Sequence, residues 1–261
     1  MIPRLTASQF HRFMSSGRTS PALCGCEDGL GNRVDDYVLK LRGGLDRGEG
    51  GLVCELLGSL LATHFSIAAP EPALVMVEAD FAELVAIAEP RRADRLRNSI
   101  GLNFGSRQLS GVSGWPVDRL VPEAMWQAAV NIFAFDALIQ NPDRRFDNQN
   151  LLTRGNDIFI YDHELAFSFL EAILPSATPW RLERQPYLTE HVFYRQLKKK
   201  PIDLNGFTVA LSALPGEPLG AILANVPPEW NNEGLQKIEE HLRMVSDHAG
   251  EFAEEIRRRL A

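Results

Sequence analysis

The chain has 261 residues, of which 45% are hydrophobic and 23% are charged, the balance of a protein that buries a sizeable core. Its formal net charge of −7 gives little support to a nucleic-acid groove, so we expect no direct binding of nucleic acid. No run of about 18 apolar residues predicts a membrane segment, and three cysteines, an odd number, favour a cytoplasmic protein with reduced thiols.

The first 110 residues are predicted to be rich in β-strands, with one helix. Strands are expected within RTSPALCGCEDG and DYVLKLRGG, because side chains alternate along the second segment as they do on a strand with two different faces. Leucines at helical spacing predict a helix over residues 51–65. Further strands are expected within APEPALVMVEA and GLNFGSRQL.

The chain becomes mainly helical after residue 110. A helix is predicted from Pro122 to about Gln140, and residues 151–162 predict a hairpin. Apolar residues at three- and four-residue steps predict one last helix over 232–260. The sequence thus predicts an α+β, two-lobed protein, with a β-rich N-lobe over 1–110, a helical C-lobe over 111–261, and a cleft between them.

Glu55 is the only charged residue in the helix predicted over 51–65, and its helical neighbours are small. Small neighbours let another backbone approach, which favours burial of this carboxylate. A buried carboxylate costs several kcal/mol unless it is paired. Lys40, on the polar face of the preceding strand, is the best-placed partner. The alternative is that both side chains face solvent.

Carboxylates and amides are concentrated in NPDRRFDNQN, residues 141–150. Phosphoryl transfer needs a carboxylate that orients the attacking hydroxyl, and oxygen ligands that hold Mg²⁺. Asp143 follows a predicted helix, Asn148 comes five residues later, and the hairpin leads to Asp162. Asp and Asn also favour turns for local reasons, so the pattern alone is weak evidence for such a site. It is stronger evidence here because it follows a lysine on a predicted strand and a glutamate on a predicted helix.

These segments resemble the HipA-like kinases, a bacterial branch of the protein-kinase-like fold, and more distantly the phosphatidylinositol 3-/4-kinases. NPDRRFDNQNLL matches the D-R-x-x-x-N pattern of their catalytic loops, and IYDHELAF is similar to the segment with the metal-binding Asp. YVLKL, CELLGSLLA and NFGSRQL resemble the lysine strand, the glutamate helix and the hinge-side strand. The resemblance covers about residues 17 to 167 and implies one kinase-like domain overall.

The resemblance implies a role for each matching residue. Asp143 would be the catalytic base or would orient the hydroxyl. Lys40 would contact the α- and β-phosphates of ATP, with Glu55 holding it in place. Arg144, beside the base, would steady the loop or a phosphate; a surface arginine is the alternative.

The resemblance also implies ligands for Mg²⁺. Asp162 and Asn148 would hold the ion, and the five-residue offset from the base favours Asn148. Asn150 is the alternative to Asn148, because it directly precedes the hydrophobic strand.

The turn SSGRTS, residues 15–20, precedes the second strand, where a kinase of this type covers the phosphates. Its backbone amides and hydroxyls can donate to phosphate oxygens. The candidate nucleotide-binding residues here are Ser16, Gly17, Arg18, Thr19 and Ser20. A flexible turn without a ligand is the alternative. The glycine-rich segment 42–51 is expected to give the connection after the lysine strand its flexibility.

The family resemblance implies an ATP- and Mg²⁺-dependent kinase that acts on serine or threonine of a protein. It does not identify that substrate. Relatives that are toxins imply an antitoxin-like partner. The alternatives are a lipid or small-molecule kinase, which would need a basic membrane-facing patch, and a nucleotide-binding pseudokinase, which the complete set of candidate residues disfavours.

Overall fold

The computed structural model describes residues 2–14, 19–174, 176–230 and 232–261. The chain divides into two compact units, Met1–Leu56 with Pro70–Ser110, and Leu57–Ala69 with Gly111–Ala261. Helices and strands both contribute, so the predicted α+β class is confirmed.

A closed barrel of five strands forms the first unit. The strands are β1 (Arg4–Phe13), β2 (Ala22–Glu27), β3 (Arg33–Lys40), β4 (Pro72–Val77) and β5 (Gly101–Arg107). Their order around the barrel is β1-β2-β3-β5-β4, and parallel pairing of β1 with β4 closes it. Along β3 the alternation predicted from the sequence holds, because Tyr37 and Leu39 lie in the core.

The sequence did not predict β1. Its pairing with β2 is irregular between Ala7 and Gln9 and again between Phe10 and Arg12. Each irregularity interrupts the period of two that marks a strand in the sequence. These irregularities therefore prevented the recognition of β1 from the sequence.

Helices α1 (Glu49–His64), α2 (Ala79–Ala88) and α3 (Ala93–Arg97) also lie in this part of the chain. The prediction of a single helix in residues 1–110 is therefore wrong. In α2, Val85 is buried while Leu84 and Ile87 are exposed. Apolar residues on both faces weaken the helical period, and the segment adjoins a strand without a glycine or proline between them.

The second unit contains most of the helices, together with a three-stranded sheet of order β6-β7-β8. The strands are β6 (Ser113–Gly114), β7 (Leu151–Arg154) and β8 (Asp157–Ile160). The helices are α4 (Trp126–Leu138), α5 (Tyr194–Leu197), α6 (Asn205–Ser212), α7 (Glu217–Leu223), α8 (Glu233–Asp247) and α9 (Ala249–Leu260).

The last helix predicted from the sequence is in fact two helices, because α8 and α9 are separated at His248. The backbone of His248 leaves helical geometry with φ −117° and ψ 29°. Its ring stacks on Trp180, with the two ring centroids 3.5 Å apart. The apolar period continues across the break, which is why it could not be seen in the sequence.

No single helix in the described part of the chain has both the length and the apolar composition needed to cross a membrane. Together α6 and α7 meet that test, although a bend of 77° separates them.

Aromatic residues fill the core of the second unit around α4, whose residues from Ile132 to Leu138 are all buried. Phe65 stacks on Phe207 with ring centroids 4.5 Å apart, and it contacts Phe135 at 5.9 Å. The buried ring of His163 meets Phe135 edge to face. This packing fixes the segment that follows β8.

Replacing Gly58 with alanine is expected to destabilise the protein. A Cβ atom there would lie 2.5 Å from Cγ of the buried His163 ring. Urea denaturation should show the free energy of unfolding reduced by about 1–3 kcal/mol. The control is Gly220→Ala in α7, where no described atom lies within 4 Å of the added Cβ. That change should raise stability by up to about 1 kcal/mol, and equal losses in both variants would contradict the packing described for Gly58.

Candidate functional site

Lys40 and Glu55 form a buried ion pair in the first unit. The Nζ atom of Lys40 lies 3.0 Å from Oε1 of Glu55, and the side chains are 8% and 2% exposed. Lys40 is the last residue of β3, and Glu55 lies in α1. A buried charge is costly unless it is paired, so this contact stabilises both groups. The two residues that the sequence predicted as partners are therefore brought together.

The first two glycines that follow Lys40, Gly43 and Gly44, are closely packed. A Cβ atom on Gly43 would lie 2.5 Å from the backbone oxygen of Arg95 in α3. The Gly43 amide donates to Oγ of Ser99 at 3.0 Å, and the Arg42 amide donates to Oδ1 of Asn103 at 2.8 Å. These contacts hold the first residues of the segment 42–51, and the expected flexibility of the connection stays a prediction.

Asp143 is the centre of a polar cluster in the second unit. Its Oδ2 atom accepts hydrogen bonds from Nδ2 of Asn148 at 2.8 Å and from Nδ2 of Asn150 at 3.1 Å. Burial raises the pKa of Asp143, the amide hydrogen bonds oppose this, and the negative charge of Asp162 raises it further, so that the net shift is upward. Both candidate metal asparagines therefore contact the candidate base.

Asn150 and Asp162 both adopt the left-handed backbone conformation, with φ of 47° and 62°. This conformation is unfavourable for residues other than glycine, although Asn and Asp tolerate it best. The Asn150 carbonyl accepts from the Tyr161 amide at 3.3 Å, which ties the two positions together. Non-glycine residues held in this way are common at functional sites.

Arg144 is fully buried, so the interpretation of it as a surface arginine is excluded. Its Nε donates to Oδ2 of Asp136 at 2.7 Å. Its Nη1 donates to the carbonyl oxygens of Asn150 at 2.6 Å and of Tyr161 at 3.2 Å. One guanidinium group thus holds the backbone at Asn150 and immediately before Asp162.

Asp136 holds the Arg144 guanidinium group in place, and it was not among the site residues predicted from the sequence. Its carboxylate also accepts from Nε2 of His191 at 3.0 Å and from Nδ2 of Asn141 at 3.2 Å. Burial alone would raise the pKa of Asp136, but Arg144 and His191 hold it below its ordinary value. The available signal was similar to that for Glu55, because Asp136 is the only charged residue between Glu123 and Gln140.

His191 is buried and neutral. Burial lowers its pKa, although the contact with Asp136 opposes that shift. Its Nδ1 accepts the backbone N–H of Phe193 at 3.2 Å, so Nε2 carries the proton that is donated to Asp136. The ring therefore satisfies both of its neighbours without a positive charge.

The predicted nucleotide-binding turn is described only in part. Ser16, Gly17 and Arg18 lie outside the described residues. Thr19 is buried, and its carbonyl oxygen accepts from Nη1 of Arg95. Ser20 has a left-handed backbone with φ of 44°.

Replacing Arg144 with alanine should lower the free energy of unfolding by about 3–5 kcal/mol, because the buried Asp136 carboxylate would lose its cation. The control is Arg145→Ala, which removes an exposed pair with Asp147 at 3.0 Å and should cost less than about 1 kcal/mol. Urea unfolding of both variants measures the difference. An Arg144→Ala protein as stable as Arg145→Ala would show that the network does not stabilise the fold.

Comparison with known proteins gives a family for the chain and related solved structures. A family model described as HipA-like kinase matches residues 8–255. No curated protein sequence matches significantly. The crystal structure of a Helicobacter pylori proinflammatory kinase, CtkA, is similar with a TM-score of 0.58, covering 100% of this chain and 99% of that one. The two sequences are 10% identical, so this likeness concerns the fold alone.

Proposed function

The chain belongs to the HipA-like kinase family, and we propose that it transfers the γ-phosphoryl group of ATP to a serine or threonine hydroxyl of a protein in a Mg²⁺-dependent reaction. The observation that carries this proposal is the contact of Asp143 with the side-chain amides of Asn148 and Asn150. The carboxylates of Asp143 and Asp162 also lie close enough for their charges to interact. A base and oxygen ligands are what phosphoryl transfer requires of a protein.

The donor set fits a magnesium ion, because Mg²⁺ prefers carboxylate and amide oxygens. Asp162 and Asn148 would hold the ion, and Asn150 is the alternative to Asn148. Asn148 is favoured because it is less buried than Asn150, whose backbone is also held by Arg144. Bound there, Mg²⁺ supplies positive charge that neutralises the phosphates.

Asp143 would orient the acceptor hydroxyl and accept its proton. Hydrogen bonds from Asn148 and Asn150 to Oδ2 hold the carboxylate in one orientation. The raised pKa of Asp143 makes it a better proton acceptor than an ordinary aspartate. The position of the base therefore depends on the same amides that are offered to the metal.

Lys40 would place its ammonium group on the α- and β-phosphates of ATP. The 3.0 Å contact with Glu55 supports this, since it fixes the ammonium group before a nucleotide arrives. Thr19 and Ser20, with the turn before them, would add hydrogen-bond donors for the phosphates. We assign residues 1–110 and 111–261 to the two lobes of one kinase-like domain, with a cytoplasmic location and an antitoxin-like partner as further family-based proposals.

Phosphate transfer from radiolabelled ATP, into the chain itself or into added casein, tests the proposal. Wild-type protein should incorporate phosphate only with Mg²⁺. Asp143→Ala should reduce the rate at least about 100-fold with little change in the apparent KM for ATP, because the base is not a nucleotide ligand. The control is Asp147→Ala, which removes an exposed carboxylate of the same loop and should keep the wild-type rate.

Two results would count against the proposed function. One is an Asp143→Ala protein that transfers phosphate as fast as wild type. The other is a correctly folded wild-type protein that binds MgATP and yet neither transfers its phosphate nor hydrolyses it.

A further inference from the structure

We propose that a depression in the first unit, lined by arginines, binds a phosphoryl group. Its volume is about 490 Å³, and its lining residues are Ser20, Arg91, Arg92, Asp94 and Arg95. Three arginines and one aspartate sum to a formal charge of +2, whereas the whole chain carries −7. The proposal concerns binding and does not depend on phosphoryl transfer by this chain.

The guanidinium group of Arg95 is held in place by the surrounding backbone. Its Nη1 atom donates to the carbonyl oxygen of Thr19. Gly44 leaves room for the side chain, because a Cβ atom there would lie 2.8 Å from Nε of Arg95. A side chain that is already ordered loses less entropy when a ligand binds. Arg95 is therefore preorganised at the wall of the depression.

Arg92 is also held by its neighbours. Its guanidinium group lies over the ring of Phe13, 4.5 Å from the centroid, and its Nη1 is 3.3 Å from Oε2 of Glu89. Among the described residues, Arg92 and Arg95 each use one of five side-chain N–H donors in a hydrogen bond. The other donors can form the paired hydrogen bonds that guanidinium groups make with phosphate.

The positive charge of the depression is poorly compensated. Arg91 is exposed, and within the described ranges it takes part in no ion pair. The Asp94 side chain is 98% exposed. Its Oδ1 also lies 4.0 Å from Nη1 of Arg97, so part of the negative charge of Asp94 is compensated by a residue outside the depression. Like charges that converge on one depression repel each other, and a bound anion relieves that repulsion.

A phosphoryl group suits this site better than a single carboxylate. It carries up to two charges and three acceptor oxygens, so that two or three guanidinium groups can share it. A volume of about 490 Å³ also leaves space for the molecule that bears the group. Two sources offer the same chemistry, the phosphates of a nucleotide and a phosphorylated side chain of a peptide.

Calorimetric titration with inorganic pyrophosphate at low ionic strength tests the site. Wild-type protein should bind the probe, and Arg91→Gln should weaken that binding at least about fivefold through loss of a charged hydrogen-bond donor. The matched control is Arg107→Gln, at the end of β5, whose side chain pairs with Asp35 at 2.7 Å and does not line the depression. It removes the same charge and should leave the affinity unchanged.

Titrations of both variants with MgATP and with a phosphoserine peptide identify the source of the group. Weaker binding of MgATP to Arg91→Gln alone would support the nucleotide, and weaker binding of the phosphopeptide alone would support a phosphorylated side chain. No binding of pyrophosphate to the folded wild-type protein would overturn the proposal. Equal losses in Arg91→Gln and Arg107→Gln would also overturn it, since only net charge would then matter.

Discussion

The candidate site depends on the buried contact between Arg144 and Asp136. Neither charge is stable alone in the interior, because an ionised group without a partner costs several kcal/mol there. The 2.7 Å contact between them joins the end of α4 to the loop that carries Asp143. Since the same guanidinium group binds the carbonyls of Asn150 and Tyr161, loop, hairpin and helix share one electrostatic anchor.

This anchor explains how unfavourable backbone conformations persist at two candidate ligand positions. Asn150 and Asp162 both have positive φ, and hydrogen bonds from Arg144 to the carbonyls of Asn150 and Tyr161 offset that cost. The neutral His191 donates a further hydrogen bond to the Asp136 carboxylate without adding a second positive charge. The first unit uses the same principle in simpler form, with Lys40 and Glu55 buried against each other.

The sequence predicted those parts of the fold whose patterns are local. The alternation along β3 and the leucine spacing of α1 could be recognised, and a lone glutamate among small residues indicated the pair with Lys40. Strand β1 could not be recognised because bulges interrupt its alternation, and α2 could not be recognised because it has apolar residues on both faces. The closing of the barrel depends on β1 pairing with β4, which is not encoded in any short segment.

The candidate site, like the fold, could be predicted only where its residues follow a local pattern in the sequence. The spacing of Asp143, Asn148 and Asp162 matched a family pattern, but the burial of Arg144 was not visible, because its environment comes from residues distant in the chain. His191 is 55 positions from Asp136, and nothing near it in the sequence suggests a contact. The choice between Asn148 and Asn150 stays a prediction, since both amides contact the same carboxylate oxygen.

The most direct test of the account is calorimetric titration of ATP into the purified chain, with and without Mg²⁺, for wild-type protein and for Asp162→Ala and Asp147→Ala. We expect Mg²⁺ to strengthen ATP binding to the wild type and to Asp147→Ala, and to have no effect on Asp162→Ala. The same Mg²⁺ dependence in Asp162→Ala would contradict the assignment of Asp162 as a metal ligand. An absence of ATP binding to the folded wild-type protein would contradict the proposal of a nucleotide site itself.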